Sequence, residues 1–204
     1  MAGAAVAILT VTGSTQALAA SVDNMVPTAN LTIACFNETL NDLAGGLCQT
    51  DNAAVTVYMQ SSVSTNMRSR IRDALDNSFG ATAALSVSYP STPVYTGSGE
   101  TDIIYQQGSI PYSGTVGITW CNDAVDSSLI KCDQSYIRFT TDTAYEHRAL
   151  TCHETGHAVG LTHGDDASPA ISNTNPVLGC MVTPFDVDAY TLGANNVQEI
   201  DNTY

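Results

Sequence analysis

The stretch that decides the reading is His153-Glu154-Thr155-Gly156-His157-Ala158-Val159-Gly160-Leu161-Thr162-His163. It closes a proline-free run of good helix formers that predicts a helix over 144–160. His153 and His157 stand four apart, so they project from one helical face about one turn separated. Both imidazoles can therefore reach one tetrahedral cation. Gly160 is expected to end the helix, because glycine takes a positive φ at little cost. The turn it permits swings His163 back as a third ligand. Three nitrogen ligands leave one position open, which is the arrangement of a catalytic zinc site rather than a structural one. Glu154, next to the first ligand, is placed to take a proton from the attacking water. Ordinary histidines on a half-buried helix would not bring Glu154, Gly160 and His163 together in this way.

The rest of the composition narrows the setting. The chain has 204 residues, 44% of them hydrophobic, enough to bury a core. Only 13% are charged, with 20 acids against 6 bases and a net charge of −14. Such a surface is repelled by nucleic acid and by anionic membranes, so neither is expected as a partner. Residues 1–20 hold a short apolar stretch ending in Ala17-Leu18-Ala19-Ala20, which matches a secretory signal peptide, although the usual basic start is missing. Export makes the six cysteines candidates for three disulfides. Six cysteines allow 15 connectivities. Pairing neighbours, Cys35 with Cys48 and Cys121 with Cys132, staples two short loops and leaves Cys152 with Cys180.

Along the chain, residues 21–52 read as a polar N-terminal extension and 53–204 as one catalytic domain. Strands are expected at 53–60, 85–89, 102–106, 116–121 and 135–140 from β-branched and aromatic runs. A first helix is expected over 64–79, where Met67, Ile71, Ala74, Leu75 and Phe79 recur at helical spacing after the cap Ser64. A short closing helix is expected over 195–204.

The zinc string resembles the metzincin signature HExxHxxGxxH, and Gly179-Cys180-Met181-Val182-Thr183-Pro184 resembles the methionine turn that lies beneath the zinc in that family. By that resemblance Met181 supports the ligands from below. Cys152 precedes the first ligand and Cys180 precedes Met181, so their bridge would fasten the helix to the floor of the site. The order of elements, Asp102-Ile103-Ile104 and the closing helix are similar to the matrixin branch. The resemblance implies an α+β fold: a twisted, mixed five-stranded sheet with two main helices, a cleft, and a small C-terminal subdomain from about Gly160. It also implies that Val116, Gly117 and Ile118 lie on an edge strand that binds an extended substrate. Pro184 to Asp186 would wall a specificity pocket. Departures are visible too. Gly164 follows the third histidine, unlike familiar metzincins; the loop to Gly179 is long; Thr183 replaces a tyrosine that some metzincins place near zinc. Only His147 remains over, too few for the second zinc of matrixins. Asp165 and Asp166 are the weak candidates for calcium.

These readings together predict a secreted, monomeric zinc endopeptidase acting on polypeptides, with activity falling in acid as protons compete for the imidazoles. The alternatives are an exported zinc amidohydrolase acting on a non-peptide amide and a non-catalytic, zinc-stabilised extracellular binding module. Glu154 argues against the module, because a structural site has no use for a base there.

Overall fold

In a computed structural model of the chain, residues 22–32, 35–37, 47–97, 99–125 and 130–204 are described. The segment expected as a signal peptide lies outside them. Among the described residues no helix is long and apolar enough to cross a membrane.

Five main strands form a mixed sheet, joined by a two-residue strand, β1 (Gln49–Thr50). The others are β2 (Ala54–Met59), β3 (Ser86–Ser88), β4 (Ile103–Gln107), β5 (Gly117–Ala124) and β6 (Lys131–Phe139). β4 runs parallel between β2 and β6, with Ile103 beside both Val57 and Ser135. It is covered on both faces, and Ile103, Ile104 and Tyr105 are each fully buried, which fits its unbroken apolar run. β5 is antiparallel to β6 and forms the opposite border from β3. β6 begins four residues before the expected Ser135. The cause is local: Cys121–Cys132 ties it to β5, and Ala124 pairs with Cys132.

Two helices pack on one face of this sheet, α1 (Thr65–Ala74) and α2 (Arg148–Ala158). Ser64 caps α1 by accepting from the Met67 amide. A wider π-type turn, Leu75–Phe79, then carries Phe79 into the core beside Met67, Ile71, Ile103, Tyr105, Ile137 and Phe139. Each such side chain removed from water contributes roughly 1.5–3 kcal/mol. The expected helix over 144–160 starts later, at Arg148. Asp142 caps a separate 3-10 turn, Thr143–Tyr145, and Glu146 leaves helical geometry with ψ 68°. What draws it out is a buried hydrogen-bonded knot. Its carboxylate accepts from Ser64 Oγ (2.6 Å), Asn66 Nδ2 (2.6 Å) and Gln107 Nε2 (3.0 Å), tying the start of α1 to β4.

Beyond Gly160 no further strand joins the sheet; a 3-10 turn (Pro176–Met181) and α3 (Gly193–Thr203) follow. At eleven residues α3 equals α2 in length, so the fold carries three principal helices instead of two. Residues 22–28 thread through this lower part: Met25 bridges to Leu161, Asp23 to Ser168, and Gln49 Nε2 donates to the Val26 carbonyl. Tyr204 Oη donates to Val159 O and accepts from the Thr50 amide, closing the C-terminus onto β1 and the end of α2.

The Ser64 hydroxyl, followed by Gln107 and Asn66, holds the Glu146 carboxyl below the usual range, against its desolvation. A carboxyl depressed on folding stabilises the protein above its unfolded pKa, and that stability is lost as pH falls through the folded value. Glu146→Gln should therefore cost roughly 1–3 kcal/mol near neutral pH. Urea unfolding between about pH 7 and about pH 3 should show a shallower loss of stability for the variant than for the wild type. Parallel curves would contradict this role.

Candidate metal centre

Two elements deliver the three histidines. α2 presents His153 and His157 on one face, and Gly160, at φ +94°, turns the chain so that His163 returns to them. A substituent there would also strike Met25 and Gln49, at 2.9 and 3.0 Å. His153 Nε2 lies 3.1 Å from both His157 Nε2 and His163 Nε2. Two nitrogens bound at 2.0–2.1 Å to one tetrahedral cation would stand about 3.3 Å apart, so the spacing fits.

The protons decide what this cluster can do. His153 Nδ1 lies 2.8 Å from the Cys180 carbonyl, and His157 Nδ1 lies 2.8 Å from the Leu161 carbonyl. A carbonyl only accepts, so each Nδ1 carries a proton and each neutral ring leaves Nε2 as a bare lone pair. Lone pairs 3.1 Å apart repel unless a cation lies among them, and these carbonyls orient ligand imidazoles in the usual manner. Burial pushes His153 down to about 4, helped by His163, and pushes His157 well below its ordinary value. Burial lowers His163 as well, with Asp165 and Asp166 pulling it back. The rings are thus held neutral, the form that binds metal.

The floor beneath them is the 3-10 turn. Met181 is fully buried against Gly156, where an added Cβ would lie 2.2 Å from Met181 Sδ. The Cys152–Cys180 bridge, Cα–Cα 5.9 Å, ties α2 to this turn, and Cys35–Cys48 and Cys121–Cys132 also form.

Glu154, next along the helix, reaches β5 at the rim of the cavity that the histidines also line. It is 5% exposed, and Thr119 Oγ1 lies 2.8 Å from its Oε2 and 2.9 Å from its carbonyl. Burial pushes its carboxyl up to about 7, while Thr119 pulls it back. Gly117 makes room for it, since a Cβ there would sit 2.5 Å from Oε1. A cavity of about 500 Å3 opens over Glu154 and the three imidazoles. Val116, Gly117, Ile118 and Pro184 line it, together with Leu47, Tyr145, Leu150 and Phe185. Asp165 and Asp166 join no cluster of three side-chain ligands among the described residues. The other such cluster found there, Cys35, Cys48 and Cys121, consists of bridged sulfurs.

Thr119 and Leu47 escape a reading of the sequence. Thr119 is one of many threonines, and Leu47 lies far along the chain from the zinc string. Only the pairing of β5 and the Cys35–Cys48 bridge bring them to the cavity.

No family model matches the sequence, and no curated protein matches it. Solved structures match the chain distantly, among them two of myroilysin. One aligns over 83% of this chain and 66% of that one, at 18% identity and a TM-score of 0.38. The other aligns over 56% and 44%, at 15% identity and a TM-score of 0.35. This chain therefore spans less than two thirds of either. At such distance the likeness carries no chemistry, which rests on the side chains above.

Zinc titrated into chelator-treated protein should saturate at a single ion per chain. His157→Ala should weaken uptake at least about tenfold, and uptake undiminished in that variant would contradict the centre. Gly156→Ala should lower stability by roughly 1–3 kcal/mol through the clash with Met181, measured by urea unfolding.

Proposed function

We propose that the chain is an exported zinc endopeptidase of metzincin type that hydrolyses peptide bonds in an extended polypeptide. The observation that carries this reading is Glu154: a buried carboxylate beside three convergent imidazoles, tethered through one oxygen and not grouped with them as a ligand. A structural centre has no use for such a group. Three disulfides support an oxidising, extracellular setting.

His153, His157 and His163 would hold the zinc. When bound, it supplies a Lewis acid for the scissile carbonyl and for the attacking water. The residues around it do the proton work. Thr119 fixes Glu154 Oε2, leaving Oε1 to orient the water and accept its proton as oxygen attacks the carbonyl carbon. The same proton passes to the departing nitrogen as the carbon–nitrogen bond breaks. The cavity wall of Val116, Ile118, Tyr145, Leu150 and Phe185 fits an apolar side chain next to that bond. Tyr145 and Phe185 meet edge to face at 6.3 Å, giving the wall a rigid aromatic corner.

Purified protein should digest casein or a peptide library, stop when a zinc chelator is added, and cut beside apolar residues. Glu154→Gln should lose about a hundred- to ten-thousandfold in kcat/KM while still taking up zinc. Gly117→Ala, which displaces Glu154, should lose about a hundredfold with zinc uptake intact. Zinc-loaded protein that cleaves no peptide, or Glu154→Gln that cleaves as well as wild type, would overturn the reading.

A further inference from the structure

One end of the cavity meets a stapled segment. Leu47 lines it together with His157 and His163, and its neighbour Cys48 is bridged to Cys35. The sulfurs of Cys35, Cys48 and Cys121 lie within 4.8 Å of one another, so this bridge rests on the one joining β5 to β6. Two residues past Cys35, Asn37 Oδ1 accepts a 2.5 Å hydrogen bond from the amide of Ala124, the last residue of β5.

The ladder shows which edge that amide belongs to. Val116 O accepts from Thr140, and Val125 donates to Lys131, so both residues face β6. Alternation from Val116 turns the N–H and C=O of Gly117, Thr119 and Cys121 away from β6, and the register shifts around Asp123 reset the alternation before Val125. The Ala124 amide points the same way and is already taken by Asn37. Among the described residues, the open edge begins beside Glu154 and stops before Ala124.

We propose that the Cys35–Cys48 bridge, through Leu47 and Asn37, closes the substrate cleft at the Ala124 end and limits how many residues are recognised there. This rests on the peptidase reading. A peptide added antiparallel to β5, the commoner pairing, points its N-terminal side toward Ala124. The limit therefore falls on residues N-terminal to the scissile bond. From Thr119 to Ala124 a regular strand advances roughly 16 Å, and the register shifts around Asp123 shorten that span, leaving room for about four substrate residues. Leu47 offers an apolar contact within that span, and Asn37 blocks backbone pairing beyond it.

The test uses nested peptides around one mapped cleavage site, lengthened residue by residue at either end. They are assayed with wild type and with the double variant Asn37→Ala and Leu47→Ala, which keeps the disulfide. In wild type, kcat/KM should stop rising after about four N-terminal residues. In the double variant it should continue to rise, gaining about fivefold from the next residues. The C-terminal series should respond alike in both proteins. Gains that continue in wild type, or a double variant with the wild-type profile, would overturn the proposal while peptide cleavage itself stands. The same peptides titrated calorimetrically into zinc-loaded Glu154→Gln protein give the length limit as Kd, without turnover. No cleavage together with a length limit in binding would overturn the peptidase reading alone, and no binding of any peptide would overturn both.

Discussion

The structure turns on three imidazole nitrogens forced to face one another. Two of the rings are locked as Nδ1–H tautomers by the Cys180 and Leu161 carbonyls, so their Nε2 lone pairs have no proton to share. Holding lone pairs at 3.1 Å in a buried place is unfavourable without a cation, and much of the lower half of the molecule serves to hold them there. Gly160 reverses the chain, Met181 fills the notch left by Gly156, and Cys152–Cys180 fixes the helix to the turn that supplies one of the carbonyls. The first acts where α2 ends, and the other two fasten α2 to the 3-10 turn. Together they leave the ring positions little freedom, which is what a site of defined geometry needs.

The upper half solves a second problem, the aim of Glu154. That side chain follows His153 in sequence, yet it reaches the sheet. Gly117 clears the space and Thr119 holds one oxygen, so the border strand β5 both positions the carboxylate and forms the rim of the cavity above it. The Glu146 knot performs the analogous task at the entry of α2. By pulling Glu146 toward Ser64, Asn66 and Gln107 it breaks the approaching helix, so α2 starts at Arg148, which pairs with Asp73 of α1. Two buried carboxylates, one in a knot of donors and one nearly stripped of them, are driven in opposite directions: Glu146 down and Glu154 up.

Much of this was legible in the sequence because periodicity and spacing act locally. The recurrence of Met67, Ile71 and Phe79 marks α1 and the π-type turn that continues it, and the spacing of His153, His157 and His163 around Gly160 marks the cluster. Neighbour pairing of the cysteines matches all three bridges. The start of α2 was misjudged, because helix propensity from Ala144 onward says nothing of the distant donors that capture Glu146. The closing helix falls within two residues of its expected bounds, and Asn196 ties it back to the Leu178 carbonyl, a contact no local pattern records. Thr119 and Leu47 were invisible because their importance comes only from strand register and a disulfide. The low and acidic charge retains its negative meaning: long-range attraction does not draw acidic partners to a chain of −14.

X-ray absorption at the zinc edge of the zinc-loaded protein tests the account most directly. Three imidazole nitrogens at about 2.0–2.1 Å with one further light-atom ligand are expected, the pattern of an open centre made by His153, His157 and His163. Sulfur in the first coordination shell, or a shell of oxygens without imidazole, would contradict it.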